Sequence, residues 1–165
     1  MKSNIILISI LLVLSSCGYS MRGVINIPSS LTSVSIVSSE YTELVNILNS
    51  SLASSNISVS TSTLASKDND IYGITILSEA FNRRQLSINI SGRVNEYELI
   101  YEVNFELKVP NKKPMKDRII LYRDYSFDEN NVMGNSDREE YIKKGMMSTV
   151  STLVFNKFVA LAKNQ

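Results

Sequence analysis

The sequence predicts an α+β fold, a two-layer sandwich in which two helices pack on one face of a four-to-five-stranded mixed sheet. Apolar residues occupy every odd position from Tyr97 to Val109, which is the period of a strand with one buried face. Apolar residues at helical spacing mark two other segments, near residues 41–52 and 142–161. The order of these segments predicts the arrangement β-α-β-β-β-β-α.

The first strand and the first helix are predicted between residues 34 and 55. Residues 34–37 alternate as a strand does. Ser38 and Ser39 are candidate capping residues, and Glu40 and Glu43 lie where a helix N-terminus favours negative charge. The apolar face of the helix comprises Tyr41, Leu44, Val45, Leu48 and Leu52.

The next segment, residues 56–70, is rich in Ser and Thr. Ile57 and Val59 alternate with serines and indicate a short second strand, followed by a turn at residues 67–70. A glycosylated stalk has a similar composition, but the alternation favours a solvated edge. Residues 71–90 predict either one long strand with a polar middle or two strands, because Leu86, Ile88 and Ile90 resume the earlier apolar parity.

The last two strands and the second helix follow residue 96. Pro110 ends the long strand, and residues 118–127 return antiparallel to it, so that a turn centred near residue 112 would place Arg118 opposite Glu106. The even positions of the long strand carry a row of glutamates that we expect to be exposed. Ser136 and Glu139 form a capping-box pattern, which predicts a helix from Ser136 to about residue 162.

The N-terminus has the pattern of a secretory signal. Lys2 precedes an apolar run, Ile5–Leu14, and small residues lead to Cys17, the single cysteine. A bilayer span needs about 20 apolar residues, so this run is too short for one. The order Leu-Ser-Ser-Cys resembles the lipobox of bacterial lipoproteins, which implies a signal peptide over 1–16 and acylation of Cys17 with fatty acids such as palmitate. Residues 17–33 would then be a tether, and residues 34–165 would form one domain. Gly18, by the same resemblance, favours the outer membrane.

Composition excludes several function classes. Lys plus Arg number 17 and Asp plus Glu 16, and removal of Lys2 with the signal leaves 16 of each, so no strong field attracts nucleic acid. Histidine is absent, which removes the commonest general base and zinc ligand. A hydrolase built on Ser–Lys or on paired carboxylates would not need histidine, although no spacing in the sequence points to one. We expect no enzymatic activity, no metal and no cofactor.

The residues after the signal resemble the opening of the lipopolysaccharide-assembly lipoproteins, the LptE family. Members begin with an acylated Cys, then Gly, an aromatic residue, two further residues and Arg. The matching positions here are Cys17, Gly18, Tyr19, Arg22 and Gly23, followed in order by Ile27-Pro28, Glu96-Tyr97-Glu98-Leu99, Arg123-Asp124-Tyr125 and the segment Lys144–Met147.

This resemblance implies a non-enzymatic lipoprotein on the periplasmic face of the outer membrane. It would plug the lumen of an LptD-type β-barrel and bind lipopolysaccharide. Lys144 matches a basic position of the family's last helix, and Arg93 lies near the corresponding strand turn. Phosphate contacts could come from three local clusters, which are Arg83 with Arg84, Arg93 alone, and Lys143 with Lys144. The alternative is that these are ordinary solvated charges, with Arg83 and Arg84 protecting a sheet edge.

Three other functions are compatible with an anchored chain of this size. The chain could be an auxiliary lipoprotein of a phospholipid-trafficking system, or a structural envelope lipoprotein with no ligand. A small periplasmic enzyme is disfavoured, because no nucleophile motif accompanies the missing histidine.

Overall fold

The computed structural model describes residues 27–40, 42–63, 71–130 and 132–163. The predicted signal peptide, Cys17 and most of the tether lie outside the described residues, as do Tyr41 and the turn expected at 67–70.

The described residues form a five-stranded mixed sheet and two helices, which confirms the predicted α+β class. The elements are β1 (Ser33–Ser38), α1 (Glu43–Ala53), β2 (Ser58–Ser62), β3 (Gly73–Ile88), β4 (Val94–Lys108), β5 (Met115–Ser126) and α2 (Val132–Lys163). The strand order is β2-β1-β3-β4-β5. β1 pairs in parallel with β2 and β3, whereas the pairs β3–β4 and β4–β5 are antiparallel.

β3 is one continuous strand, which decides between the two alternatives left open by the sequence. A register shift between Ile76 and Ser78 leaves Leu77 as a bulge, so the core-facing positions change from even to odd numbers. Two further register shifts lie between Gln85 and Ile88, and Ile90 lies beyond the end of the strand. The prediction that Leu86, Ile88 and Ile90 share the buried face is wrong. Their exposed fractions are 44%, 63% and 108%.

β4 follows the predicted alternation, but its register with β5 differs from the expected one. Its odd-numbered side chains from Leu99 to Leu107 are at most 1% exposed. Glu106 lies opposite Lys116, and Arg118 lies opposite Asn104. The turn is centred near residue 111, one residue earlier than expected, and Asn111 within it adopts a left-handed backbone conformation with φ of 60°. The Arg118 guanidinium reaches Glu102 instead, at 3.4 Å.

Both helix starts differ from the capping predictions. α1 begins at Glu43 with Thr42 as its N-cap, because Ser38 is still part of β1. α2 begins at Val132, four residues before Ser136, so Ser136 does not cap it. The side chain of Asn135 accepts a hydrogen bond from the Asp128 amide at 3.0 Å and donates one to its carbonyl at 2.6 Å, which fastens the first turn of α2 to the preceding loop.

α2 crosses the sheet as a core helix. Met133–Lys163 is the helix that has the length and composition of a membrane span within the described part of the chain, and half of its most apolar window is buried inside the fold. Val150, Val154 and Phe158 are 0% exposed and join the buried face of α1 and one face of the sheet in a single core.

Candidate functional site

Glu139 on α2 is the centre of a charge cluster that joins three elements. Its carboxylate lies 2.9 Å from Arg83 Nη1 on β3 and 2.7 Å from Lys143 Nζ, one helical turn further along. The Tyr125 hydroxyl on β5 donates to the same carboxylate at 2.7 Å. Burial opposes the charged form, but hydrogen bonds from Lys143, Tyr125 and Arg83 outweigh it and lower the pKa of Glu139 to about 2.

Aromatic rings hold the two cations of this cluster from the sheet side. The Arg83 guanidinium lies 4.6 Å from the Tyr97 ring centroid, and Lys143 Nζ lies 5.7 Å from that of Phe81. Phe81 stacks on the buried Tyr101 at 4.0 Å. Arg83 and Lys143 are thus brought together, which the sequence did not predict, and they neutralise a partly buried carboxylate.

Arg84 and Arg93 lie elsewhere and each has its own acidic partner. Arg84 Nε lies 2.5 Å from Glu98 Oε2 on the sheet face opposite Arg83, and Glu98 is only 8% exposed. The expectation of an exposed glutamate row on β4 is therefore wrong at Glu98, because its ion pair with Arg84 allows it to be covered. Arg93 follows the hairpin between β3 and β4, and its Nη1 lies 2.5 Å from Glu129.

Lys144 lies beside a groove between α2 and β5. Its Nζ lies 2.8 Å from Glu140, and both side chains are more than half exposed, at 54% and 66%. The groove encloses about 490 Å³ and is lined mainly by Arg123, Tyr141, Ile142, Lys144 and Met146. It combines two cations with apolar side chains, which is the chemistry that suits an amphiphile carrying phosphate.

Arg123 is the basic residue of this groove that was not predicted from the sequence to bind a ligand. Its guanidinium donates to the Tyr122 carbonyl at 3.1 Å, and it takes no part in the ion pairs of the described residues. Its odd-numbered position could have identified it, because alternate residues of a strand share a face and Arg123 therefore lies on the same face of β5 as the buried Tyr125.

The structure therefore divides both predicted pairs, Arg83 with Arg84 and Lys143 with Lys144. Arg83 and Lys143 share Glu139, while Arg84, Arg93 and Lys144 lie apart and each contact a different carboxylate. No cluster of metal-ligating side chains occurs among residues 27–40, 42–63, 71–130 and 132–163. The groove beside Lys144 is the candidate functional site, because it holds the predicted cation with the most exposed acidic partner and an arginine that has no acidic partner among the described side chains.

The chain is similar to a family of known proteins over most of its length. A family model named LptE and described as lipopolysaccharide-assembly matches residues 31–158. A comparison with curated proteins finds no match.

Solved structures share the fold. Rare lipoprotein B from Shewanella oneidensis is 26% identical, with a TM-score of 0.70 over 78% of this chain and 95% of the other. Lipoprotein B from Nitrosomonas europaea is 24% identical, with a TM-score of 0.66 over 87% and 92%. A minor lipoprotein from Acinetobacter baumannii is 19% identical, with a TM-score of 0.61 over 81% and 94%.

Proposed function

Because this chain belongs to the LptE family of lipopolysaccharide-assembly proteins, we propose that it is an acylated outer-membrane lipoprotein that plugs an LptD-type β-barrel and binds lipopolysaccharide. The observation that carries this proposal is the family match over residues 31–158. The role is non-enzymatic and needs no cofactor. The molecule lies on the periplasmic face of the outer membrane and transfers its ligand to the barrel.

The anchor is Cys17, freed by removal of residues 1–16 and joined to the domain by the tether. Cys17→Ala should abolish incorporation of a labelled fatty acid such as palmitate in growing cells, whereas Ser20→Ala should leave it unchanged. A labelled Cys17→Ala protein would place the anchor at another residue and remove this part of the proposal.

Lipopolysaccharide would bind with its phosphates at Lys144 and Arg123. An exposed ion pair contributes only about 0–1 kcal/mol, so a phosphate can replace Glu140 at Lys144 with little loss. Arg123 can offer two parallel N–H donors to the same phosphate. Tyr141, which is 79% exposed, and Ile142 and Met146 supply apolar surface beside these charges.

Arg93 is a second phosphate contact in this proposal, at the opposite end of β4 from the hairpin to β5. The ion pair between Arg93 and Glu129 is shorter than that between Lys144 and Glu140, at 2.5 Å against 2.8 Å. Arg83, Arg84 and Lys143 are weaker candidates. Their partners Glu139 and Glu98 are 17% and 10% exposed in their side chains, so removing either cation would leave a poorly solvated charge.

A charge-reversal series on the full-length lipoprotein tests this site. Lys144→Glu and Arg123→Glu should each reduce copurifying lipopolysaccharide by about tenfold, since a charged hydrogen bond contributes roughly 1.5–3 kcal/mol. Lys113→Glu, in the exposed turn between β4 and β5, is the matched control and should change nothing. Equal retention in all three variants would exclude the groove as the binding site.

The barrel plug is supported by the neutrality of the mature chain and by its paired charges. A large barrel lumen is polar, so a plug needs a polar surface without a strong field of one sign. On the sheet face away from the helices, Arg84 pairs with Glu98 and Arg118 with Glu102. This arrangement leaves a hydrated surface of mixed charge.

Affinity purification from envelopes in mild detergent, followed by mass spectrometry, tests the partnership. We expect a much larger outer-membrane β-barrel to copurify. Recovery of phospholipid-transport components instead would favour the auxiliary role. Recovery of no partner, together with unchanged surface lipopolysaccharide after depletion, would favour a purely structural lipoprotein.

A further inference from the structure

β5 is an edge strand, and no strand in the described part of the chain pairs with its outer side. It pairs with β4 along its whole length, and it ends the strand order β2-β1-β3-β4-β5. An edge strand exposes a row of backbone N–H and C=O groups that can pair with another strand. Charged side chains commonly protect such an edge, and β5 carries five of them between Lys116 and Asp124.

These charges are arranged symmetrically about Ile120. Consider two copies of residues 116–124 that run antiparallel with Ile120 opposite Ile120. The two residue numbers of each facing pair then add up to 240. Lys116 then lies opposite Asp124, and Asp117 lies opposite Arg123. The remaining pairs are Arg118 with Tyr122 and Ile119 with Leu121. Every charged side chain of the strand meets an opposite charge or an aromatic ring.

We propose that β5 pairs antiparallel with β5 of a second copy of this chain, about a two-fold axis at Ile120. The two sheets then form one continuous ten-stranded sheet, since each copy contributes five strands. The interface is isologous, so each of the four unlike pairs occurs twice. The pairing concerns the protein before it meets any barrel and does not rest on the proposed function.

Neighbouring registers keep less of this complementarity. The register in which paired numbers sum to 242 retains Arg118 opposite Asp124 but leaves Lys116, Asp117 and Arg123 without an opposite charge. A two-residue shift in one direction places Asp117 opposite Leu121, and the same shift in the other direction places Arg123 opposite Ile119. A one-residue shift would set core-facing side chains against outward-facing ones, which a continuous sheet does not allow. The charge pattern therefore favours a single alignment.

The charged side chains that this pairing needs are available, whereas two backbone groups of the edge must exchange a side-chain contact for the second copy. The Arg118 amide donates to Asp117 Oδ1 at 2.7 Å, and the Tyr122 carbonyl accepts from Arg123 at 3.1 Å. Lys116, Arg123 and Asp124 take part in none of the ion pairs among the described residues. Asp117 contacts Lys157 on α2, but a carboxylate has enough acceptor sites for a second cation. Arg118 contacts Glu102 at 3.4 Å, which leaves its guanidinium plane free to lie against Tyr122, which is 51% exposed.

The pairing also brings the two copies of α2 toward each other. Both copies of α2 lie on the same face of the continuous sheet, so they approach each other across the two-fold axis. Gly145 and Thr149 line the groove beside β5, and a Cβ placed on Gly145 would meet nothing within 4 Å. Arg123 belongs to both the groove and the strand interface, so variants that test the pairing are best placed outside the groove.

Cysteine cross-linking tests the register, both in intact envelopes and on purified full-length protein that is free of any barrel. In full-length Ile120→Cys protein, the two introduced cysteines face each other with Cα atoms about 5 Å apart, a distance that a disulfide spans. Mild oxidation should give a disulfide-linked species of twice the monomer mass. Tyr122→Cys is the matched control, because its copies lie about 13 Å apart along the strands and should not link. Coexpressed Arg118→Cys and Tyr122→Cys proteins should link to each other.

Folded Ile120→Cys protein that forms no dimer would overturn the proposal and leave the charges as edge protection only. Equal cross-linking of Ile120→Cys and Tyr122→Cys would overturn it as well, because random collision does not select a register. A link from Ile120→Cys to a different protein would assign the edge to another partner and reject the self-pairing.

Charge reversal tests the complementarity separately. Lys116→Asp alone, or Asp124→Lys alone, sets like charges opposite each other twice and should lower the dimer fraction of Ile120→Cys about tenfold. The double reversal restores opposite charges and should restore the dimer. A double variant that stays monomeric while its circular dichroism matches the parent would contradict the proposed pairing.

Discussion

The Arg83 guanidinium on β3 lies 2.9 Å from the Glu139 carboxylate on α2, although the two residues are 56 positions apart in the chain. Tyr125 on β5 donates to the same carboxylate, so this cluster fastens the sheet to the first half of α2. Basic residues that suggest anion binding in the sequence thereby stabilise the tertiary structure. The groove beside Lys144 then becomes the better place for an anionic ligand.

The free energy of unfolding should fall in acid because of Glu139. Its pKa is about 2 in the folded protein, below the ordinary value of 4.5. A depressed pKa contributes stability above the unfolded value, and this contribution is lost as the pH falls from about 5 toward 2. We expect a loss of roughly 2 kcal/mol, reduced from the full linkage value by solvent screening.

Urea unfolding at a series of pH values checks this expectation, with Glu139→Gln as the comparison. The variant lacks the titrating group, so the difference in stability between parent and variant should shrink as the pH approaches 2. A difference that stays constant from pH 6 to pH 2 would show that Glu139 does not stabilise the fold through its charge.

Tyr101→Phe should destabilise the fold through Glu79. The Tyr101 side chain is fully buried, and its hydroxyl donates to Glu79 Oε1 at 2.7 Å. Burial and this hydrogen bond both raise the pKa of Tyr101, so the hydroxyl stays protonated as a donor. Its removal leaves a carboxylate oxygen without its donor and should cost about 1–3 kcal/mol in chemical denaturation. Tyr122→Phe, at a half-exposed position, should change stability by less than about 0.5 kcal/mol.

Two glycines should respond to alanine in opposite directions. Gly92 adopts φ of +76° in the hairpin between β3 and β4, a conformation that costs an L-residue about 1–2 kcal/mol. Gly145 lies inside α2 with open space around its Cβ position, so alanine there should stabilise the helix by about 1 kcal/mol. Thermal unfolding of the two variants gives the sign directly, and a shift in the same direction for both would contradict this explanation.

Phe158→Ala should strongly destabilise the core between α2 and the sheet. Phe158 is 0% exposed and makes an edge-to-face contact with Tyr72 at 6.2 Å. Truncation of a buried phenylalanine costs about 3–5 kcal/mol, because the cavity is only partly refilled. Leu153→Ala, on the same helix but 36% exposed, should cost much less in the same denaturant titration. Equal losses would mean that α2 packs on the sheet through a different face.

Local sequence patterns were sufficient to predict the fold class and the order of its elements. The strict alternation of β4 and the helical spacing in α1 and α2 depend on neighbours within each element, so periodicity was enough to predict them. The bulge at Leu77 could not be predicted from periodicity, because only the pairing of β3 with β4 shows that the buried and exposed faces of β3 exchange there.

The roles of the charges were decided by the tertiary structure. Arg83 and Arg84 are adjacent in the chain, yet one pairs with Glu139 above the sheet and the other with Glu98 below it. Whether a basic side chain is free for a ligand depends on which carboxylate another element brings to it. Which carboxylate this is depends on the register of the strands and on where α2 crosses the sheet, because both make neighbours of residues that are far apart in the chain.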